Sequence, residues 1–113
     1  MRLAGKQDFA KVFERGRRSA DRYFTVLGCA SGLEHARLGL AISRKAARRA
    51  TARNRLKRLA REAFRHHQQA LAGIDVIVMA RPGADKLDNV ELRASLDRHY
   101  GSIPGRCEPS SKA

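Results

Sequence analysis

The 113-residue chain has no tryptophan, and its aromatic residues are four Phe and two Tyr. So few rings cannot fill a large core, so each one in a regular pattern is either a packing residue or a stacking surface. Cysteine is equally scarce. Cys29 and Cys107 lie far apart and form no C-x-x-C pair, which excludes a disulfide framework and the thiolate spacing of structural zinc; two free thiols are expected. His35, His66, His67 and His99 match no metal-ligand spacing, and adjacent His66 and His67 would point about 100° apart on a helix. No apolar run is long enough to span a bilayer, and MRLAGKQDF lacks the apolar stretch of a signal peptide. A cytoplasmic location is expected. Acidic residues are the last shortage, 11 against 24 Lys and Arg, for a net charge of +13. Like charge at this density opposes folding unless a polyanion neutralises it, so nucleic acid is the first candidate partner and anionic membrane the second. An apolar content of 42% nevertheless supports a folded chain with a single core.

The positive charge is concentrated. Residues 44–65, RKAARRATARNRLKRLAREAFR, contain Glu62 as their single acid, and their apolar residues fall at helical spacing. At about 100° per residue, Leu56, Leu59, Ala60, Ala63, His67, Ala70 and Leu71 form one apolar stripe. Asn54, Arg58, Arg61 and Arg65 follow i, i+4, i+7, i+11 on the opposite side, flanked by Lys57 and Arg55. A solvated basic face usually interleaves Glu at i+4 to relieve repulsion. The near absence of such Glu here points to a surface that meets phosphate.

The rest of the chain reads as an α+β domain. Residues 5–15 predict a short helix, with Phe9, Val12 and Phe13 at i, i+3, i+4 and Gly16 as its terminal glycine. Tyr23 to Leu27 are strong strand formers. In residues 36–43, Leu38, Leu40 and Ile42 alternate with Arg37, Gly39, Ala41 and Ser43, and these two runs are expected to pair as an antiparallel hairpin. A helix from about 50 to 71 ends at Gly73. IDVIVMA, residues 74–80, suits a central strand covered on both faces. Residues 84–99 predict a last helix with Leu87, Val90 and Leu96 turned inward, and 101–113 a disordered tail. The expected order is α-β-β-α-β-α, three helices on a small mixed sheet of three or four strands, with one domain over 1–100. No carboxylate cluster or nucleophile–base pair stands out, so no catalytic residue is expected on the chain.

Three stretches in sequence resemble the protein component of bacterial ribonuclease P. RLAGKQDFAKVFERGRR (2–18) is similar to that family's N-terminal pattern, ARLGLAISRKAARRATARNRLKRLAREAF (36–64) to its R-x-G strand and R-N-R helix, and GIDVIVMARPGA (73–84) to the strand that follows. The resemblance implies a ribosomal protein S5 domain 2-like fold with a left-handed βαβ crossover. It also implies a non-catalytic subunit, one protein to one RNA, that binds the catalytic RNA and the 5′ leader of precursor tRNA. Endonucleolytic leader removal would be performed by the RNA with Mg²⁺, none being bound by the protein alone. Carried over to this sequence, Arg53, Asn54, Arg55, Lys57, Arg58, Arg61 and Arg65 would contact RNA, continued by Ser43, Arg44 and Lys45. Phe9 and Phe13 would line the leader cleft, although a core role accounts for such a pair equally well. Where relatives carry a further aromatic, this chain has Leu27-Gly28-Cys29, so stacking there would pass to Tyr23. The segment before Arg2-Leu3 is short, which puts arm contacts made in relatives in doubt. The alternative reading is a ribosomal or other structural RNA-binding protein.

Overall fold

The computed structural model describes residues 5–107; the N-terminal arm before Gly5 and the distal tail, 108–113, lie outside the described residues. Helix α1 (Lys6–Arg15) is followed by strands β1 (Arg17–Ala20), β2 (Phe24–Ala30) and β3 (Arg37–Ala41). Helix α2 (Ala50–His66) then leads to β4 (Ile74–Ala80), a short 3-10 turn (Ala84–Lys86) and α3 (Asn89–Arg106). The four strands form one mixed sheet in the order β1-β2-β4-β3. The α+β class and the three-helix count are as expected. Two connections are not.

First, β2 and β3 do not form a hairpin. β2 pairs antiparallel with β4 and β3 pairs parallel with it, so β4 lies between them. Alternation shows that each run is a strand and which face it buries, but not its neighbour. The β-branched run of β4 takes the central place because it is apolar on both faces: Val76 and Val78 enter the main core, and Ile77 enters a second cluster on the other face. RRSA at residues 17–20, too polar to read as a strand, forms β1 by pairing Arg17 to Ala20 with Gly28 to Thr25.

Second, α3 continues through the residues expected to be tail, reaching Arg106 despite Pro104 within the helix. Ile103 is fully buried and Cys107 nearly so, because they extend the Leu92–Leu96–Tyr100 stripe at helical spacing. Burying Ile103 contributes about 1.5–3 kcal/mol, comparable to the cost of a helical proline, about 3 kcal/mol; Cys107 and Tyr100 add further buried surface. The inward set of α3 is also different from the sequence reading. Leu96 is buried and Leu87 partly so, but Val90 is 78% exposed.

The two sheet faces are unequal. On one, Phe24, Val26, Leu38, Val76 and Val78 meet α2 and α3 in the main core. On the other, the short α1 covers only Leu27 and Ile77, through Val12, with Phe9, Ala41 and Met79 partly buried around them. Gly16, which closes α1, is extended at φ −69°. It is required by close approach instead of handedness, since a Cβ there would sit 2.3 Å from the Val12 carbonyl oxygen.

The β1–β2 turn is tied to α3 through Asp21. Its carboxylate accepts from the backbone N–H groups of Tyr23 (2.8 Å) and Phe24 (2.9 Å) and from Ser95 Oγ (2.6 Å). Buried His99 hydrogen-bonds Ser19 through Nδ1 (2.7 Å), and its Nε2 lies 3.2 Å from Asp21 at an angle that makes no hydrogen bond. Burial alone would raise the Asp21 carboxyl; the Ser95 hydroxyl, the two N–H groups and the nearby imidazole outweigh it and hold the carboxyl well below the usual carboxylate range. A depressed carboxyl pKa stabilises the fold fully above the unfolded value of about 4, and this contribution is lost as pH falls below it. Asp21→Asn is therefore expected to lower stability at neutral pH and to flatten the acid limb of the stability–pH curve, as read by thermal unfolding between pH 2 and 7.

Candidate nucleic-acid interface

Helix α2 packs through Leu56, Leu59, Ala60, Ala63 and Phe64. Four of these belong to the expected stripe. Phe64 widens that stripe, Ala70 lies past the helix end and is exposed, and His67 is half-buried. Phe64 meets Tyr100 edge-on, ring centroids 6.0 Å apart at 75°, and Tyr100 donates to the Ala60 carbonyl at 2.9 Å. His67 Nε2 lies 3.0 Å from Asp97. These contacts fix α2 on α3 and turn the other side of the helix outward.

On that side Asn54, Arg58, Arg61 and Arg65 are all exposed and Lys57 is half-buried, so the expected row exists. None of these four cations takes part in an ion pair among the described residues. The two arginines of the R-N-R triplet behave differently. Arg53 donates to the carbonyls of Ala47 (3.1 Å) and Arg48 (2.9 Å). Arg55 donates to Asn89 Oδ1 (2.7 Å) and to the carbonyls of Asp85 (2.8 Å) and Leu87 (3.1 Å). Arg53 thus holds the loop entering α2, and Arg55 fastens α2 to the segment entering α3. In that entry loop, Ser43 accepts from the Ala46 N–H (3.3 Å) and shapes a turn. Arg44 and Lys45 are exposed there and, with Arg48, line a shallow depression of about 430 Å³. Helix α2 has no acid in its first turn and no side-chain cap at Arg49, so its positive dipole end adds to the same field.

A groove of about 680 Å³ runs between α1, the outer strand β3 and α2. Phe9 forms one lip; Lys57, Arg58, Arg61 and Arg65 line the α2 wall, together with Glu62 and Gln68. Phe9 is half-buried against Val12, Leu27 and Ile77, and Phe13 is 50% exposed, their rings 6.4 Å apart. Phe9 therefore combines the packing and surface roles, whereas Phe13 is mainly surface. Tyr23 is placed apart from them, packed against the main core.

What holds α1 over the sheet was not legible as a site. Arg37 of β3 makes a bidentate pair with Asp75 of β4, Nε to Oδ1 at 2.8 Å and Nη2 to Oδ2 at 2.7 Å, and reaches Asp8 of α1 at 3.4 Å. Asp75 is 1% exposed, so its carboxylate depends on this partner. The Asp75 hydrogen bonds in turn push the Arg37 guanidinium pKa further up. The available signal was positional: Arg37 and Asp75 are register partners on adjacent parallel strands.

The profile of the family described as Ribonuclease P matches residues 1–103. The chain belongs to the ribonuclease P protein family. It is 46% identical over 107 residues to the ribonuclease P protein component of Thioalkalivibrio sulfidiphilus, covering 95% of this chain and 89% of that protein. The corresponding protein of Methylococcus capsulatus is 46% identical over 110 residues, covering 97% of this chain and 86% of the relative. Among solved structures, the Staphylococcus aureus RNase P protein superposes with a TM-score of 0.81 at 33% identity, over 90% of this chain and 93% of that one. The Thermotoga maritima RNase P protein in complex with 1-(4-fluorophenyl)-2-thiourea gives 0.82 at 34%, over 90% and 99%. The chain is accordingly a ribonuclease P protein component, an RNA-binding protein of tRNA processing, and the ribosomal alternative is not favoured. No helix among the described residues is long and apolar enough to cross a membrane.

Proposed function

We propose that this ribonuclease P protein acts as a non-catalytic cytoplasmic subunit, one copy to one catalytic RNA. It would bind that RNA through the outer face of α2 and guide the 5′ leader of precursor tRNA past Phe9 and Phe13. The observation that carries this reading is the row Arg58, Arg61 and Arg65, exposed and without ion pairs among the described residues, beside a groove whose lip is aromatic. Arg44 and Lys45 extend the row; Arg53 and Arg55 act mainly by holding it in place, and Asn54 offers a neutral donor within it. Tyr23 contributes at most at the far end of the sheet. Among the described residues no three His, Cys, Asp or Glu side chains converge as metal ligands, and in our reading the Mg²⁺ that cleavage needs is held by the RNA.

The deciding experiment is cleavage of precursor tRNA by a bacterial ribonuclease P RNA at low Mg²⁺, with and without the protein. Stimulation is expected; its absence, with folded protein and intact RNA, defeats the proposal. In direct binding, neutralising about six phosphates should give a log–log salt slope of roughly −4 to −5. Arg58→Ala and Arg61→Ala should each weaken RNA affinity and make the slope shallower by nearly one while leaving the melting temperature in place. Unchanged affinity and slope would show that the wrong face was assigned.

A further inference from the structure

We propose that the groove between Phe9, β3 and α2 is a pocket for one unpaired guanine of an RNA strand, with the Glu62 carboxylate reading its Watson–Crick edge. This rests on the RNA-binding reading above and adds a base preference to it. Glu62 is the sole acid of the basic segment and lines the groove. Arg58 and His66 stand four residues to either side, at the spacing that normally gives helical ion pairs. Yet among the described residues Glu62 forms no ion pair at all. A half-buried carboxylate left free in a cationic groove repels phosphate, so it has no use in gripping an RNA backbone. It is suited to accepting hydrogen bonds from a neutral group that the surrounding cations bring in.

The chemistry of the bases selects among those groups. A carboxylate accepts two parallel hydrogen bonds. Guanine alone offers two adjacent donors on its Watson–Crick edge, the N1–H and the N2 amino group. Adenine and cytosine place an acceptor beside their amino donor, and uracil flanks its single N–H with two carbonyl oxygens that the carboxylate would repel. The remaining walls supply what a flipped-out nucleotide needs. Phe9 offers a ring face for stacking, and Arg58 and Arg65 lie on the wall where the flanking phosphates would run. β3 is the outer strand of the sheet, so among the described residues the peptide groups on its far side have no strand partner and keep hydrogen-bonding capacity, and Leu38, Gly39 and Leu40 of this strand line the groove. An extended acidic peptide would also find that edge, but its carboxylates would meet Glu62. The charge pattern therefore favours a neutral base on a phosphate chain.

The test is fluorescence anisotropy of the full chain with a ten-nucleotide oligouridine RNA and the same RNA carrying one central guanosine, inosine or adenosine. The wild-type protein should prefer guanosine over uridine by about tenfold, the size of a good bidentate base contact. Inosine, which lacks the N2 amino group, should fall between them. Glu62→Gln should lose the guanosine preference, and its affinity for oligouridine should rise because one repulsive charge has gone; circular dichroism checks that the variant is folded. Equal binding of guanosine and uridine RNAs by the wild type, or a preference retained by Glu62→Gln, overturns the proposal while leaving RNA binding intact. A wild-type protein that binds none of these RNAs at low salt overturns the RNA-binding reading itself.

Discussion

Arg37→Ala is expected to lower the unfolding free energy by about 3–5 kcal/mol, because it strands a carboxylate in the interior. Asp75 is 1% exposed and receives both of its side-chain hydrogen bonds from Arg37. The reverse change is milder. Asp75→Ala leaves Arg37 with a side chain 20% exposed and with Asp8 still at 3.4 Å, so roughly half that loss is expected. The double variant Arg37→Met/Asp75→Leu removes both charges and keeps the volume, and should recover most of the stability lost by Arg37→Ala. Urea unfolding followed by circular dichroism measures all three, and equal losses in the two single variants would refute the asymmetry. A second consequence reaches the interface. Arg37 is also the polar tie between β3 and Asp8 of α1, so its loss should loosen α1, and with it Phe9, and weaken RNA binding even where the protein stays folded.

Phe64→Ala should cost about 3–5 kcal/mol. Phe64 is 3% exposed and meets the Tyr100 ring of α3 from the buried face of α2, so truncation to Ala leaves a cavity between the two helices. Because the same residue lines the groove floor, the variant should lose RNA affinity beyond what its unfolded fraction explains. Tyr100→Phe is the control: it keeps the ring and removes only the hydrogen bond to the Ala60 carbonyl, a loss of about 1 kcal/mol. Comparable thermal shifts for the two variants would show that Phe64 is not what seats α2.

The extent to which these features could be read from the chain follows from their range. Leu56, Leu59, Ala60 and Ala63 declare α2 because helical periodicity is local, and the same spacing places Arg58, Arg61 and Arg65 outside. The β4 run declares itself central because only a strand covered on both faces tolerates apolar residues without alternation. Strand partners were not legible, since alternation in Leu38, Leu40 and Ile42 specifies a face and leaves the neighbour open. Ile103 and Cys107 were hidden among Gly101, Pro104 and Gly105, where local helix-breaking signals pointed one way and tertiary burial the other. Arg53 and Arg55 read as surface cations because nothing in their local pattern distinguishes a guanidinium facing solvent from one turned onto oxygens of the chain, as Arg55 is on the Asp85 and Leu87 carbonyls and on Asn89 Oδ1.

The central position of β4 sets an order of assembly during synthesis. As the chain emerges, β1 and β2 can close a two-stranded ribbon, but β3 waits for residue 80 to be free, because its only neighbour among the described residues is β4, the last of their strands to be made. The cationic α2 emerges before the sheet it must lie on is complete. Such late, non-local closure slows folding and prolongs the exposure of unpaired edges. The nascent protein thus presents its most positive segment to the cell before it has a core to hold it.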